Sequence, residues 1–406
     1  MNYLAKRLDA VKPSASAAVS QNAKALKAEG HDVIDLGLGE PDFDTPAHIV
    51  EAAYQAAKLG ETRYPPTDGT AALKLAIIDK FKRDNTLTFS PSEVIVGNDA
   101  KQIIFDAFMA TLENTSEVLL CAPYFGQYKD MVLILGGQPI VIDCPPDNNF
   151  RLTPALLEAA ITPNTRWLLL NLPSNPSGTS YDAQQLSALG DVVRRHPHVL
   201  VMSDEIYEHI TFDSKKHVSF LSANPDLNDQ VLIVNGVSKA YAMTGWRIGY
   251  SAGPAPLIKG MTKVQSQISS GACSVAQAAA TAALNGPQNS VALFKSAFEA
   301  RCNLVVERIK GIDGLTLAPP DGAFYAYINC EHFIGATTAE GIALEDDTAF
   351  TAYILSEAKV AAVPGSAYDL SPFFRISTAC SEDVLNIALD RIAAALSKLT
   401  VKGNTS

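Results

Sequence analysis

A chain of 406 residues, 47% of them apolar, is long enough to bury a large core, which excludes wholesale disorder. Its net charge of −11 excludes a general affinity for nucleic acid or for an anionic membrane surface, since both require a basic footprint. The longest apolar runs, such as residues 131–135, are far shorter than the ~18 residues that span a bilayer.

The six cysteines are scattered along the chain without a CxxC pair, a pattern typical of neither a disulfide framework nor a zinc site. We therefore expect no bound metal and a reducing, cytoplasmic location. Residues 1–16 contain no apolar segment of the kind found in a secretory signal, which agrees with that location.

Between residues 46 and 290, short β-rich runs alternate with longer helical patterns. Several of these runs are continuously apolar, as in strands of a parallel sheet that is covered on both faces. The predicted strands are residues 94–97, 118–121, 139–143, 167–172, 199–203, 231–235 and 248–252. The clearest predicted helices are residues 71–83, 101–112, 154–160 and 183–195. This alternation predicts an α/β fold, with a mostly parallel seven-stranded sheet flanked by helices.

The pattern changes near residue 290. A long helix over residues 290–312 is followed by separate predicted strands and by a closing helix from Ser381. These strands are residues 323–329, 361–364 and 374–377. We interpret residues 46–290 as a large domain, and residues 1–45 together with 291–406 as a smaller α+β domain.

Polar side chains follow three successive predicted strands, at the carboxyl ends where open α/β sheets bind ligands. Asn175 follows the fourth strand, Asp204 and Tyr207 the fifth, and Lys239 the sixth, with Arg247 eight residues later. Each residue alone has a simpler explanation, such as a turn at Asn175 or a helix cap at Asp204. Their combination, in order and at strand ends, favours one shared crevice.

These residue types fit the chemistry of pyridoxal 5'-phosphate (PLP). Lys239 supplies an amine that condenses with the cofactor aldehyde as a Schiff base. Asp204 keeps the pyridine nitrogen protonated, so that the ring draws electrons from the substrate Cα. Tyr207 and Asn175 are able to hydrogen-bond the phenolic oxygen, and the planar fork of Arg247 suits the phosphate.

Two further features suit the cofactor phosphate. Ser238 offers a hydroxyl beside Lys239. The segment GNDAK at residues 97–101 ends a predicted strand and opens a helix, so its backbone N–H groups form an anion site.

At this point the sequence resembles a known family, the fold-type I PLP aminotransferases of class I. The segments that carry the resemblance are GEPDFDTP (39–46), PSNPSG (173–178), SDEIYEH (203–209) and VNGVSKAYAMTGWRIGY (234–250). Others indicate the bacterial aspartate aminotransferase branch, namely KPSASAAV (12–19), PSEVIVGNDAKQ (91–102), VAAVPGSAY (360–368) and FFRIS (373–377). The likeness covers essentially the whole chain.

The resemblance implies specific roles. Lys239 would carry the cofactor and shuttle the proton between Cα and C4′. Asp204 would pair with the pyridinium, while Tyr207 and Asn175 bond the phenolic oxygen. Arg375 would grip the substrate α-carboxylate, assisted by two residues, Asn175 and the backbone of Gly39.

The family also implies the phosphate site and a homodimer. Arg247, Ser238 and the amides of Ala100 and Lys101 would bind the phosphate. Tyr64 matches the tyrosine that reaches the phosphate of the neighbouring subunit's cofactor, which predicts active sites shared between two subunits.

The chain departs from the branch at two positions. Phe125 replaces the usual tryptophan that stacks on the cofactor ring, and so lacks an indole N–H. Asp99 stands where small residues are common, close to the phosphate site. We expect its carboxylate to point away from the phosphate and to cap the following helix.

In the resembled branch, Lys101 and Ser16 would meet the distal carboxylate of aspartate or glutamate. A lysine is able to swing away from an aromatic side chain, so the sequence predicts aspartate with 2-oxoglutarate first, then an aromatic or broad-range donor. Lys12 stands where prephenate-accepting relatives carry arginine, which makes prephenate a weaker candidate.

Two other classes share parts of this pattern. A PLP lyase or decarboxylase of the same fold would use Lys239, Asp204 and Arg247, and is disfavoured mildly by Tyr64 and Arg375. A regulator that fuses this fold to a DNA-binding domain is disfavoured because the aminotransferase-like sequence begins within about 15 residues of the N-terminus.

Overall fold

The computed structural model describes residues 3–401. The chain forms twelve strands and thirteen α-helices within that range. The strands are β1 Ile34–Asp35, β2 Val94–Gly97, β3 Glu117–Ala122, β4 Gln138–Asp143, β5 Thr165–Asn171, β6 Leu200–Asp204, β7 Val231–Gly236, β8 Gly249–Ala252, β9 Tyr325–Asn329, β10 Val360–Ala361, β11 Val363–Pro364 and β12 Phe373–Ser377. The helices are α1 Ala15–Ala28, α2 Ala47–Lys58, α3 Ala71–Asn85, α4 Ala100–Thr111, α5 Gln127–Ile134, α6 Pro154–Ala160, α7 Ala183–Arg195, α8 Phe220–Ala223, α9 Ala255–Ile268, α10 Ser274–Asn285, α11 Asn289–Lys310, α12 Asp347–Tyr353 and α13 Glu382–Leu396.

Seven strands form the main sheet in the order β2-β8-β7-β6-β5-β3-β4. Only β8 runs antiparallel to its neighbours, so the other strands all point the same way. All seven predicted strands are present, and the predicted α/β fold with a mostly parallel seven-stranded sheet is confirmed.

The sheet is covered on both faces because its strands are apolar on both faces. Val94 and Val96 of β2 pack into a core that includes residues of α3, α7 and α10, whereas Ile95 between them packs into a core with residues of α4 and α9. Strands that alternate between two buried faces read as continuous apolar runs, which is why they were recognisable in the sequence.

The rest of the chain builds a smaller sheet in the order β11-β12-β9, with antiparallel pairing. The single strand expected at residues 361–364 is in fact two short strands. β10 pairs with β1, whereas β11 pairs with β12, because the chain changes partner at Ala362.

Helix α11 joins the cores of the two parts. Phe294 and Phe298 pack with the main sheet, whereas Val305 and Ile309 pack against the smaller sheet. The division into domains at residues 46 and 290 stays a prediction, although α11 begins within one residue of the second boundary.

A buried ion pair lies beneath the carboxyl edge of the main sheet. Lys80 of α3 pairs with Glu208, and both side chains are almost fully buried. Asn85 and Asn235 donate to the Glu208 carboxylate at 2.9 and 2.8 Å. The pairing with Lys80 helps to hold the pKa of Glu208 well below its ordinary value against the opposing effect of burial. This network anchors the segment that leads out of β6.

In the described part of the chain, no helix is both long and apolar enough to cross a membrane.

Candidate active site

A cavity of about 450 Å³ opens at the carboxyl edge of the main sheet. All the predicted site residues except Tyr64 line this cavity. They are Ser16, Gly39, Ala100, Lys101, Phe125, Asn175, Asp204, Tyr207, Ser238, Lys239, Arg247 and Arg375. The topology explains the convergence, because β5, β6 and β7 are neighbours in the sheet and end at the same edge. Arg247 reaches the same edge because it precedes β8, which runs the opposite way.

Lys239 lies in the turn after β7 and projects into the cavity. Its Nζ atom donates to the carbonyl oxygen of Gly39 at 2.7 Å and lies 5.9 Å from the centre of the Tyr207 ring. The partner of the amine is thus a neutral oxygen. An amine held in this way is suited to nucleophilic attack and to proton transfer.

Asp204 ends β6 and is buried at the base of the cavity. Tyr128 donates its hydroxyl to Oδ2 at 2.5 Å, and the Ile206 amide donates to Oδ1 at 3.2 Å. Burial raises the pKa of Asp204 from 3.8 to about 6, despite these two hydrogen bonds. A buried carboxylate held by neutral donors is a strong partner for a cationic group.

Tyr207 and Tyr325 form a hydroxyl pair at 2.9 Å beside Lys239. Burial raises the pKa of Tyr207 well above its ordinary value, so the phenol stays protonated and is able to donate. Gly39 packs against this pair, since a Cβ atom there would lie 2.0 Å from the Tyr325 hydroxyl. A glycine is therefore required at position 39 to bring its backbone close to Lys239.

Arg375 lies on β12 with 2% of its surface exposed. It donates from Nη1 to Asn175 Oδ1 at 2.9 Å and from Nη2 to the Gly37 carbonyl. Its Nε atom is buried without a hydrogen-bond partner, and its guanidinium lies 4.5 Å from the Tyr325 ring centre. A buried guanidinium held by neutral oxygens provides a planar site for a carboxylate.

The amino end of α4 forms a further part of the cavity wall. Gly249 of β8 allows the sheet to approach this end, because a Cβ atom there would lie 2.1 Å from the Ala100 amide nitrogen. Ser238 and Arg247 lie at the same wall. Backbone amides, a hydroxyl and a guanidinium are the donors of an anion site.

Asp99 occupies this wall in a way that the sequence analysis did not anticipate. We expected its carboxylate to cap α4 and to point away from the anion site, and this prediction is wrong. The side chain makes no capping hydrogen bond. It instead pairs with Arg247 and accepts a hydrogen bond from Ser238 at 3.4 Å. The backbone is not that of an ordinary helix cap, since φ is +82°, and the side chain lines the cavity.

The residues predicted to meet a distal carboxylate lie in different places. Lys101 is in the first turn of α4, with Nζ 5.7 Å from the centre of the Phe125 ring. Burial lowers the pKa of Lys101. Ser16 lies instead beside Arg375, with Oγ 3.5 Å from Nη2. Lys101 is therefore better placed than Ser16 to contact a group remote from Arg375.

Tyr64 is the one predicted site residue outside the cavity. Its side chain is 95% exposed in the single chain, and other large apolar residues nearby in the sequence are also exposed. They include Val50, Tyr54 and Leu59. Its predicted role at a neighbouring subunit's site stays a prediction.

Sequence reasoning missed several residues of the cavity lining, among them two tyrosines and one glutamine. Tyr128 contacts Asp204, Tyr325 contacts Tyr207, and Gln127 donates to Ser14 at 2.8 Å while its Oε1 atom is buried without a partner. The sequence offered one indication for Tyr128, since it lies three residues, about one helical turn, after the predicted site residue Phe125. Tyr325 had none, because its partner is 118 residues away.

Replacement of Asp204 by asparagine tests the electrostatic cost of this carboxylate. Its folded pKa of about 6 exceeds the ordinary 3.8, so ionisation is opposed in the fold. The protonated Asp204 therefore contributes to the stability of the folded parent protein. This contribution is fully present below pH 3.8 and is lost as the pH rises through 6. We expect D204N to be more stable than the parent at pH 8 without ligands, by on the order of 3 kcal/mol, and the gain to shrink towards pH 4.5. Urea denaturation at both pH values measures this, and a variant less stable at pH 8 would contradict it.

The chain matches the family model "Aminotransferase class I and II" over residues 31–392. It is 50% identical to an aspartate aminotransferase of Rhizobium meliloti (strain 1021) over 396 residues, which cover 98% of this chain and 97% of that protein. It is 48% identical to an aspartate/prephenate aminotransferase of Cereibacter sphaeroides over 394 residues, 97% of this chain and 98% of the relative.

The fold is also similar to a crystal structure of the aspartate aminotransferase from Rhizobium meliloti. The TM-score is 0.96 at 49% sequence identity, with 98% of this chain and 100% of that chain covered. Sequence, fold and site geometry agree, and the chain belongs to the class I and II aminotransferases, within the branch of the bacterial aspartate aminotransferases.

Proposed function

We propose that this aminotransferase uses PLP to move an amino group between aspartate or glutamate and a 2-oxo acid such as 2-oxoglutarate. The observation that carries the proposal is one cavity with an amine, a buried carboxylate and a buried guanidinium, supplied by Lys239, Asp204 and Arg375. Transamination between amino acids and 2-oxo acids is the activity of the family.

The residues fit the cofactor on structural grounds. Asp204 is a buried carboxylate with neutral donors, which a protonated ring nitrogen would stabilise. The wall formed by Ala100, Ser238 and Arg247 offers donors to a phosphate, and Phe125 offers an apolar face to a ring. When bound, PLP supplies an electron sink that makes the Cα proton of an amino acid acidic.

The protein groups then have separate tasks. Lys239 would hold the cofactor through its amine and, once the substrate amine had replaced it there, would be free to take and return the Cα proton. Tyr207 and Asn175 would donate hydrogen bonds to the phenolic oxygen of the bound cofactor. Arg375 orients the substrate through its α-carboxylate, so that the Cα–H bond faces Lys239. With its amino group left on the cofactor, the donor would leave as a 2-oxo acid before the acceptor enters and takes that amino group, which gives a ping-pong reaction.

The preference for a dicarboxylic substrate rests on Lys101. Its ammonium lines the cavity beside the Phe125 ring, whereas Arg375 lies against Asn175 and Gly37. A substrate that spans the cavity would present its α-carboxylate to Arg375 and its distal carboxylate to Lys101. Two cations at separate walls favour aspartate and glutamate over monocarboxylic amino acids.

An aromatic or broad-range donor is the second candidate, because the apolar face of Phe125 suits an aromatic side chain. The C. sphaeroides relative is named for prephenate as well as aspartate. Lys12 lines an adjoining cavity of about 210 Å³ that shares Ser16 and Phe125 with the main cavity. A PLP lyase of the same fold is the least favoured alternative.

We further propose a cytoplasmic homodimer. The six cysteines are all free thiols, which a reducing compartment maintains. Tyr64 is exposed, as are Tyr54 and Leu59, which lie close to it in the sequence; their exposure supports the proposal that a second copy covers this segment.

A Lys239 link to the cofactor is the first expectation. Borohydride treatment of the yellow protein should fix the cofactor to the peptide that contains Lys239. Lys239→Ala should lose nearly all turnover, because no other side chain replaces both the amine and the proton carrier. Peptide mapping by mass spectrometry identifies the labelled residue, and a label on another lysine would refute the assignment.

A shared active site is tested by mixing inactive subunits. Tyr64→Ala and Lys239→Ala subunits should regain part of the parent activity on mixing, since a hybrid dimer contains one site with both residues intact. Mixing Asp204→Asn with Lys239→Ala subunits is the matched control. Each site takes both Asp204 and Lys239 from one chain, so each site of that hybrid dimer retains one defect and no activity should return. A fully active monomer in light scattering would contradict the proposal.

Lys101→Ala should separate the substrate classes. We expect kcat/KM to fall more for aspartate and glutamate than for phenylalanine and tyrosine, because one partly buried charge contact is lost. The difference corresponds to about 2–3 kcal/mol of transition-state stabilisation. Lys101→Arg, which retains the charge, is the control. Equal losses for both classes would instead place Lys101 on the cofactor phosphate.

A further inference from the structure

Asp99 is the residue at the anion wall that the family pattern does not explain. Its carboxylate pairs with Arg247 and accepts a hydrogen bond from Ser238. These are two of the donors to which we assign the cofactor phosphate. A negative side chain therefore lies among the groups that would hold a second, larger anion.

The backbone of Asp99 is strained in this position. Its φ of +82° and ψ of 156° lie in a region that glycine adopts freely and that other residues rarely adopt. Gly249 packs directly against the Asp99–Ala100 peptide, so the backbone cannot relax towards β8.

The contacts that the Arg247 guanidinium already makes limit how an anion is able to bind to it. Nη1 of Arg247 donates to the Thr244 carbonyl at 2.6 Å, and Nη2 is taken by Asp99. A phosphate that uses the guanidinium fork must therefore displace the Asp99 carboxylate or share Nη2 with it. Sharing places two anions side by side, which costs binding energy.

We propose that Asp99 sets the cofactor affinity of this enzyme by competing with the phosphate for Arg247 and Ser238. The proposal rests on the phosphate site assigned under the proposed function. It implies that the phosphorylated cofactor binds more weakly than it would to the same donors in the absence of the Asp99 carboxylate. The opposite arrangement, in which Asp99 orients Arg247 for the phosphate, predicts an effect of opposite sign.

Two substitutions separate the charge from the strain. Asp99→Asn keeps the side-chain shape and the strained backbone but removes the charge, whereas Asp99→Gly removes both the side chain and the strain. An effect common to D99N and D99G therefore reports on the carboxylate. Melting temperatures of both variants show that the fold is retained.

The measurement is the dissociation constant of PLP from the full-length protein, by equilibrium dialysis. We expect D99N and D99G to bind PLP about ten- to a hundredfold more tightly than the parent, the range for one charged hydrogen bond. Inorganic phosphate should bind more tightly in the same variants. Pyridoxal, which lacks the phosphate, should bind all three proteins equally.

The outcomes are distinct. Tighter PLP binding with unchanged pyridoxal binding supports the competition. Unchanged or weaker PLP binding in D99N and D99G overturns it, while leaving the proposed function intact as long as borohydride labels Lys239. Equal tightening of pyridoxal also overturns it, because the effect would not involve the phosphate. Failure of the parent and both variants to bind PLP would overturn both proposals.

Discussion

The buried carboxylate of Asp204 is the constraint around which the cavity is organised. β6 holds it between β5 and β7 at the centre of the sheet edge, and its donors, Tyr128 and the Ile206 amide, are neutral. Burial raises its pKa to about 6, so the ionised form is costly in the fold alone. The protein tolerates this cost because the surrounding strands and helices are anchored by two large apolar cores.

Around this carboxylate the chain gathers positive charge, although its net charge is −11. Lys101, Lys239, Arg247 and Arg375 all line the cavity. Glu40, Asp99 and Asp204 line it too, so the formal excess is one positive charge, which is enclosed in the cavity. An enclosed positive charge in an acidic protein favours small anions over polyanions, which require a basic surface. Aspartate, glutamate, 2-oxo acids and a phosphorylated cofactor are small anions, and the charge distribution fits all of them.

Much of the fold and most of the site could be predicted because each apolar run marks a strand and the polar residues directly after it mark the edge of the sheet that the strand reaches. The apolar run 94–97 matches β2 to the residue. Asp204 ends β6, and Asn175 and Lys239 follow the two strands that neighbour it, β5 and β7. The contact of Tyr325 with Tyr207 could not be predicted, because it depends on how the smaller sheet packs on the larger one. Chain order predicts which edge a residue reaches, but not its partner across the cavity.

The prediction that the Asp99 side chain caps α4 was wrong for a different physical reason. The prediction assumed an ordinary helix cap, which requires β-region backbone, whereas the chain adopts φ of +82° there. Gly249 presses on the same peptide, so the conformation follows from close packing between β8 and α4 and cannot be read from local sequence. The two departures from a relaxed structure, strain at Asp99 and burial of charge at Asp204, both lie in the cavity. Backbone strain and buried charge of this kind are characteristic of functional sites, where the surrounding packing holds an arrangement that a relaxed chain would not adopt.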